Sequence, residues 1–107
     1  MNFELLNRLA YEYVLMVDVL RKKYSENIVE CENRIYLDKE LFDELLSKKD
    51  FLSVIDKKKY WRSLGWISCD TDRYRYTKKI RLKDKTFRKI VIEKEPYITI
   101  KKLIKNE

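Results

Sequence analysis

The side chains of this sequence with the clearest chemical bias are cations. Residues 57–107 carry 17 Lys and Arg against six Asp and Glu, a net charge of +11, whereas residues 1–56 carry eight against twelve, a net charge of −4. A field of that sign draws polyanions, either nucleic acid or an acidic membrane surface, and bears on partners rather than on fold. Two groups of these cations have a telling spacing. Around Lys57, Val54, Trp61 and Leu64 cluster on one side of a helix, which turns Asp56, Lys59, Tyr60, Arg62 and Ser63 to the opposite side and leaves Lys57 and Lys58 at its margins. Such residues suit phosphate contacts, and Lys and Arg also suit guanine edges. Further on, Arg73, Arg75, Lys79 and Arg81 alternate with Tyr74, Tyr76, Ile80 and Leu82, the period of a strand with one basic and one largely apolar face, and Lys83, Lys85 and Arg88 crowd its end. A lysine run on a helix is usually a solvated face, and edge strands carry Lys and Arg against aggregation. Two separate basic surfaces in one short chain weigh towards nucleic acid.

Other chemistry has little material. The chain has no His, one Gly and two Cys, Cys31 and Cys69, far apart and outside any C-x-x-C spacing. That argues against acid–base catalysis by histidine, Gly-rich phosphate loops, a zinc site and a redox pair, and both thiols read as reduced core residues. The carboxylate pairs Asp43/Glu44 and Asp70/Asp72 read as a solvated helix face and a turn. The expectation is a protein that is not an enzyme and needs no cofactor or metal. Tyr74 and Tyr76 also suit stacking on unpaired bases. The aromatic motif of an RRM and the Gly-rich loop of a KH domain are absent, which lowers the RNA reading.

The elements that must position these cations can be read along the chain. Phe3 to Tyr24 predicts a long helix with Glu4, Arg8 and Glu12 as a charged stripe, and its other faces are mostly apolar, including Leu5, Leu6, Leu9, Tyr13, Met16, Val17 and Leu20. That is more apolar surface than one contact face needs, so the helix is expected either to sink into its own core or to meet a second copy. Glu4, Arg8, Glu12 and Asp18 interrupt it too often for a signal peptide or membrane span, so a cytoplasmic location without membrane contact is expected. Ser25 to Asn33 reads as polar and irregular, and Arg34 to Leu37 as a short strand. Asp38 to about Lys48 reads as an amphipathic helix. Ser53-Val54-Ile55-Asp56 fits a capping box, so a third helix starts at Ser53 and ends at Leu64 before the left-handed cap of Gly65. Trp66 to Cys69, Tyr74 to Leu82 and Thr86 to Ile92 read as strands, with Asp70 to Arg73 a turn and Lys83-Asp84-Lys85 a hairpin tip. Glu95-Pro96 breaks the pattern, after which Tyr97 to Ile100 is either a short edge strand or the start of a final packed segment.

Helix, strand, helix, helix and a hairpin entered through L-G-W-I form a layout that resembles the winged helix-turn-helix family. The residues that carry the resemblance are S-V-I-D-K-K-K-Y-W-R-S-L-G, W-I-S-C and R-Y-T-K-K-I-R-L-K-D-K-T-F-R-K-I-V-I. It implies one α+β domain over residues 1–107: a long N-terminal helix, 1–24, as a possible dimer interface, and a helix-turn-helix plus wing over 34–92. The connection Ser47 to Leu52 is longer than a tight helix-turn-helix turn, a departure that bears on how the third helix docks. The implied function is binding of double-stranded DNA as a homodimer through the wing and third helix. The long apolar first helix, basic wing and Lys/Ile/Tyr-rich composition further resemble the TcpK-like relaxosome accessory proteins of clostridial conjugative plasmids. That likeness implies binding to repeated sites in an origin of transfer alongside other relaxosome proteins. Transcriptional regulation and plasmid or phage replication-origin binding remain open, as does a protein-interaction module that docks an acidic partner.

Overall fold

The computed structural model describes residues 2–70 and 76–105. The first helix, α1 (Phe3–Lys23), begins where Asn2 Oδ1 accepts from the Leu5 amide at 2.7 Å and ends with Arg21, Lys22 and Lys23 in its last turn, where cations complement the helix dipole. Its inner face buries Leu9, Tyr13, Met16, Val17 and Leu20.

The sheet is organised by one long strand. Strand β5 (Lys85–Glu93) pairs along one edge with β2 (Arg34–Leu37), which pairs in turn with β1 (Ile28–Glu30). Along its other edge it meets β3 (Ile67–Ser68) at Ile92 and Val91, and β4 (Lys78–Leu82) from Lys89 down to Lys85. Every pairing is antiparallel. Ile90, Val91 and Ile92 are consecutive and all buried, so this end of β5 is covered on both faces, while its N-terminal half extends into solvent with β4 alone. Glu93 ties the covered end together by accepting from Arg34 Nε at 2.9 Å and from Ser68 Oγ at 2.6 Å.

Helices α2 (Lys39–Leu46) and α3 (Val54–Ser63) fill the other side of the core. Ser53 Oγ accepts from the Asp56 amide at 3.1 Å, as the capping box requires, and Gly65 takes φ +77° after the helix end. An aromatic cluster joins α1, α2, α3 and Trp66, the residue just before β3. Tyr13 stacks on Trp66 at 4.7 Å between centroids, and Trp61 makes T-shaped contacts with Tyr13 and Phe42 at 5.4 Å each. Fully buried, Trp61 is the hub of these contacts, and its truncation to Ala would cost about 3–5 kcal/mol.

The expected α+β class is therefore present, with four helices and a five-stranded sheet among the described residues. Several local expectations are corrected. The irregular stretch Ser25–Asn33 contains β1, whose β-branched Ile28-Val29 finds a ladder partner in β2. The segment after Glu95-Pro96 is α4 (Glu95–Lys105), not an edge strand. Proline is tolerated in a first helical turn, where its missing N–H would have no partner, so the expected break is a helix start. Tyr97 and Lys101, one turn apart, both donate to Asp18 and dock α4 on α1. Helix α2 is shorter than Asp38–Lys48, and Asp38 precedes it without a side-chain capping bond because its carboxylate holds Lys89. The hairpin tip is a two-residue turn, Lys83–Asp84, with φ +49° and +65°, so Lys85 already belongs to β5. Cys31 is exposed and Cys69 partly buried, so neither is a fully buried core thiol.

Candidate nucleic-acid interface

The β4–β5 hairpin follows from its register. Lys79 lies opposite Arg88 and Arg81 opposite Thr86, which sets those four side chains on one face; Ile80 lies opposite Phe87 and Leu82 opposite Lys85 on the other. Lys78 also faces Lys89. Like charges directly across a ladder destabilise it, and the fold relieves them near the hairpin base. Arg88 pairs with Asp70 at 3.0 Å and donates to Thr77 Oγ1 at 3.1 Å, while Lys89 pairs with Asp38. Among the described residues nothing comparable relieves the outer end. Arg81 meets Asp84 only at 3.9 Å with both side chains largely exposed, and among the described residues Lys83 and Lys85 have no acidic side chain within 4 Å. The turn residues themselves sit in left-handed backbone without a glycine, a conformation in which Asp is tolerated better than Lys.

Helix α3 presents less charge than its sequence promises. Lys57, expected at the margin of a groove-facing surface, is completely buried. Its three ammonium protons match three acceptors: Glu12 Oε2 at 2.7 Å, the Leu46 carbonyl at 2.7 Å and the Lys49 carbonyl. The latter two lie at the end of α2 and in the α2–α3 connection, so Lys57 stitches α1, that connection and α3 together. Glu12, expected in an exposed stripe, is buried with it; burial drives its carboxyl pKa up, against the lowering by Lys57. Lys58 is also buried and pairs with Asp43, which bridges it to Lys39 at 2.8 Å. Burial works to raise the Asp43 pKa, but the hydrogen bonds and charges of Lys39 and Lys58 prevail and hold it below the usual carboxylate range.

On the outer side of α3, Lys59 and Ser63 are exposed, Tyr60 is partly packed on the core, and Arg62 is half-buried with its guanidinium 5.9 Å from the Tyr76 ring. Lys58 approaches the same ring at 5.7 Å. Tyr76 is thus the joint between α3 and the base of the hairpin, and its packing there leaves it poorly placed as a free platform for unpaired bases. Arg73, Tyr74 and Arg75 lie outside the described residues. Sequence reasoning missed Ile55, which is 59% exposed one turn before Lys59. An apolar side chain beside Lys and Arg suits the methyl group of thymine. Its signal was available: Ile55 falls off the Val54–Trp61–Leu64 stripe.

Between α2, α3 and the hairpin base runs a groove of about 540 Å³. Its lining sets Asp38, Glu40 and Asp43 against Lys39, Lys58 and Arg88, a balance that offers phosphate no net attraction, so among the described residues the unrelieved positive charge lies on the outer hairpin and at Lys59. Burial pushes the Cys69 thiol pKa up, which argues against a nucleophilic role. No cluster of three His, Cys, Asp or Glu able to hold a metal occurs among the described residues, and no helix among them is long and apolar enough to cross a membrane. Compared with known proteins, the chain matches no protein-family model and no curated relative.

Proposed function

We propose that this protein is a winged helix-turn-helix that binds duplex DNA, with the β4–β5 hairpin as its wing and α3 as a secondary contact. The observation that carries the reading is the outer hairpin, where Lys79, Arg81, Lys83 and Lys85 extend beyond the core while the cations nearer the base are taken up by Asp70 and Asp38. Sheet order supports it: a strand between the first two helices pairs with the second hairpin strand, which lies between it and the first. A projecting basic hairpin fits a minor groove, above all a narrow A·T-rich one with enhanced negative potential. The exposed Ile55–Lys59 side of α3 offers base-edge contacts nearby.

In this reading the protein works as a homodimer on repeated sites, and its likeness to TcpK-like relaxosome accessory proteins favours a plasmid origin of transfer as the setting. A mobility-shift titration of the full chain against duplexes carrying one or two copies of a candidate repeat, at several salt concentrations, tests it. Binding should fall steeply with salt and be tighter per site on the paired repeat; a flat salt response would refute phosphate-directed binding.

A further inference from the structure

We infer that α1 forms an antiparallel, two-fold symmetric pair with α1 of a second copy, in which Phe3 of each chain fills a cavity beside the C-terminal half of the other's α1. The inference deepens the homodimer reading above by naming its surface, and stands or falls separately from DNA binding. Phe3 is 80% exposed, Tyr11 51% and Leu15 47%, although all lie on a helix whose opposite face is fully buried. They belong to one ridge of residues four apart: Phe3, Asn7, Tyr11, Leu15 and Val19. The ridge is self-complementary. With a two-fold axis at Tyr11, Phe3 and Val19 lie eight residues to either side and Asn7 and Leu15 four, so antiparallel pairing sets Phe3 against Val19 and Asn7 against Leu15. Two ridges of this kind pack with helices crossed at about −50°, the commonest helix-pair geometry.

What waits at the far end is a hole of the right character. A cavity of about 290 Å³ opens between α1 and the end of α2, lined by Leu15, Met16, Val19, Tyr24 and Leu45 together with the acidic Glu12. It is roughly twice the ~150 Å³ of an apolar cavity that accepts benzene, so a benzyl side chain fits. Lys23, Lys48 and Lys49 line it too, and although Lys49 acts on Glu12 by charge, none of the three has an acidic side chain within 4 Å among the described residues. Glu4, next to Phe3 in sequence, pairs with Arg8 at 3.4 Å, with both side chains exposed. Seating Phe3 carries Glu4 towards that lysine rim, twice per dimer. The apolar knob, the Leu15–Met16–Val19–Leu45 side of the hole and the net positive charge around it therefore match in the order that an antiparallel pair requires.

Light scattering under reducing conditions tests the pair on the intact chain, because exposed Cys31 could otherwise link copies. The wild type should be a dimer at micromolar concentration, and Phe3→Glu should weaken association at least tenfold with an unchanged circular dichroism spectrum, since the position is exposed. In a Cys31→Ser, Cys69→Ser background, Tyr11→Cys should cross-link readily on oxidation, and Leu15→Cys, which faces Asn7, much less. A monomeric wild type overturns the inference, as does a dimer indifferent to Phe3→Glu or one in which Tyr11→Cys fails to cross-link. If the pair forms as described but the wild type binds no duplex at low salt, the DNA reading fails and the pair stands.

Discussion

The cations of α3 and those of the hairpin, some twenty residues apart, are put to opposite uses. Lys57 and Lys58 point inward, where Lys57 satisfies three acceptors on two other segments and Lys58 shares Asp43 with Lys39. Lys79, Lys83 and Lys85 point outward from a two-stranded ribbon with little beneath it. Depth of packing makes the difference: α3 is pressed between α1 and α2, where a charge must be paired, whereas the outer hairpin lies beyond the reach of the core. Positive charge in a sequence thus points to a partner only where the fold leaves it unmatched.

The largest test of that contrast is inside. Replacing Lys57 with Met leaves Glu12 buried without its counter-charge and should lower unfolding free energy by about 3–5 kcal/mol in urea titration, while Glu12→Leu with Lys57→Met should recover much of the loss. Recovery would separate the structural lysine from the external ones; an undiminished loss would mean that the carbonyls of Leu46 and Lys49 matter more than the ion pair.

Acid should act on the ion pairs that tie elements together as well. Asp43, Asp18 and Glu30 are all held below their ordinary pKa values: burial opposes the lowering at Asp43 and Asp18, where lysine hydrogen bonds overcome it, and the Lys94 hydrogen bond leads at Glu30. The unfolded chain therefore binds more protons than the folded one as pH drops below about 4, so stability present at neutral pH is lost through that range. Glu12, shifted upward, contributes in the opposite sense over its own window. Thermal melts between pH 3 and 7 should show the melting temperature falling at the acid end; a rise towards pH 3 would contradict the assigned pairs.

A smaller effect concerns the turn. Lys83→Asn with Asp84→Gly supplies the residues that a type I′ turn favours, so the hairpin should be unchanged or slightly stabilised, by a few tenths of a kcal/mol. Its net charge is unaltered but Lys83 is gone, so weaker duplex binding on a sound hairpin would show that the tip's cation itself makes contact.

Much of this architecture was legible where local chemistry decides it. Ser53 and Gly65 bound α3 because a cap and a left-handed residue act within a few positions, and the alternation after Gly65 reports strands, although Tyr76 and Thr77, expected within one, lie before β4. Interior charges escaped because their partners are remote: Lys57 and Glu12 are 45 residues apart. One signal was present, since Lys57 falls in the Val54–Trp61–Leu64 stripe and Glu12 between Leu9 and Met16, an opposite pair each sitting where an apolar residue belongs. Helix α4 escaped because Pro96 reads as a stop in a strand and as a start in a helix, and only the contact with Asp18 decides between them.

The central claim, that the hairpin rather than α3 carries phosphate contact, is tested most directly by the slope of log affinity against log salt for three proteins on one duplex. The account predicts that Lys79→Ala, Lys83→Ala and Lys85→Ala together reduce the slope by about 2–3 relative to wild type, near 0.9 per lost contact, while Lys59→Ala reduces it by at most about one. A slope unchanged by the hairpin substitutions, with α3 substitutions abolishing binding, would contradict it.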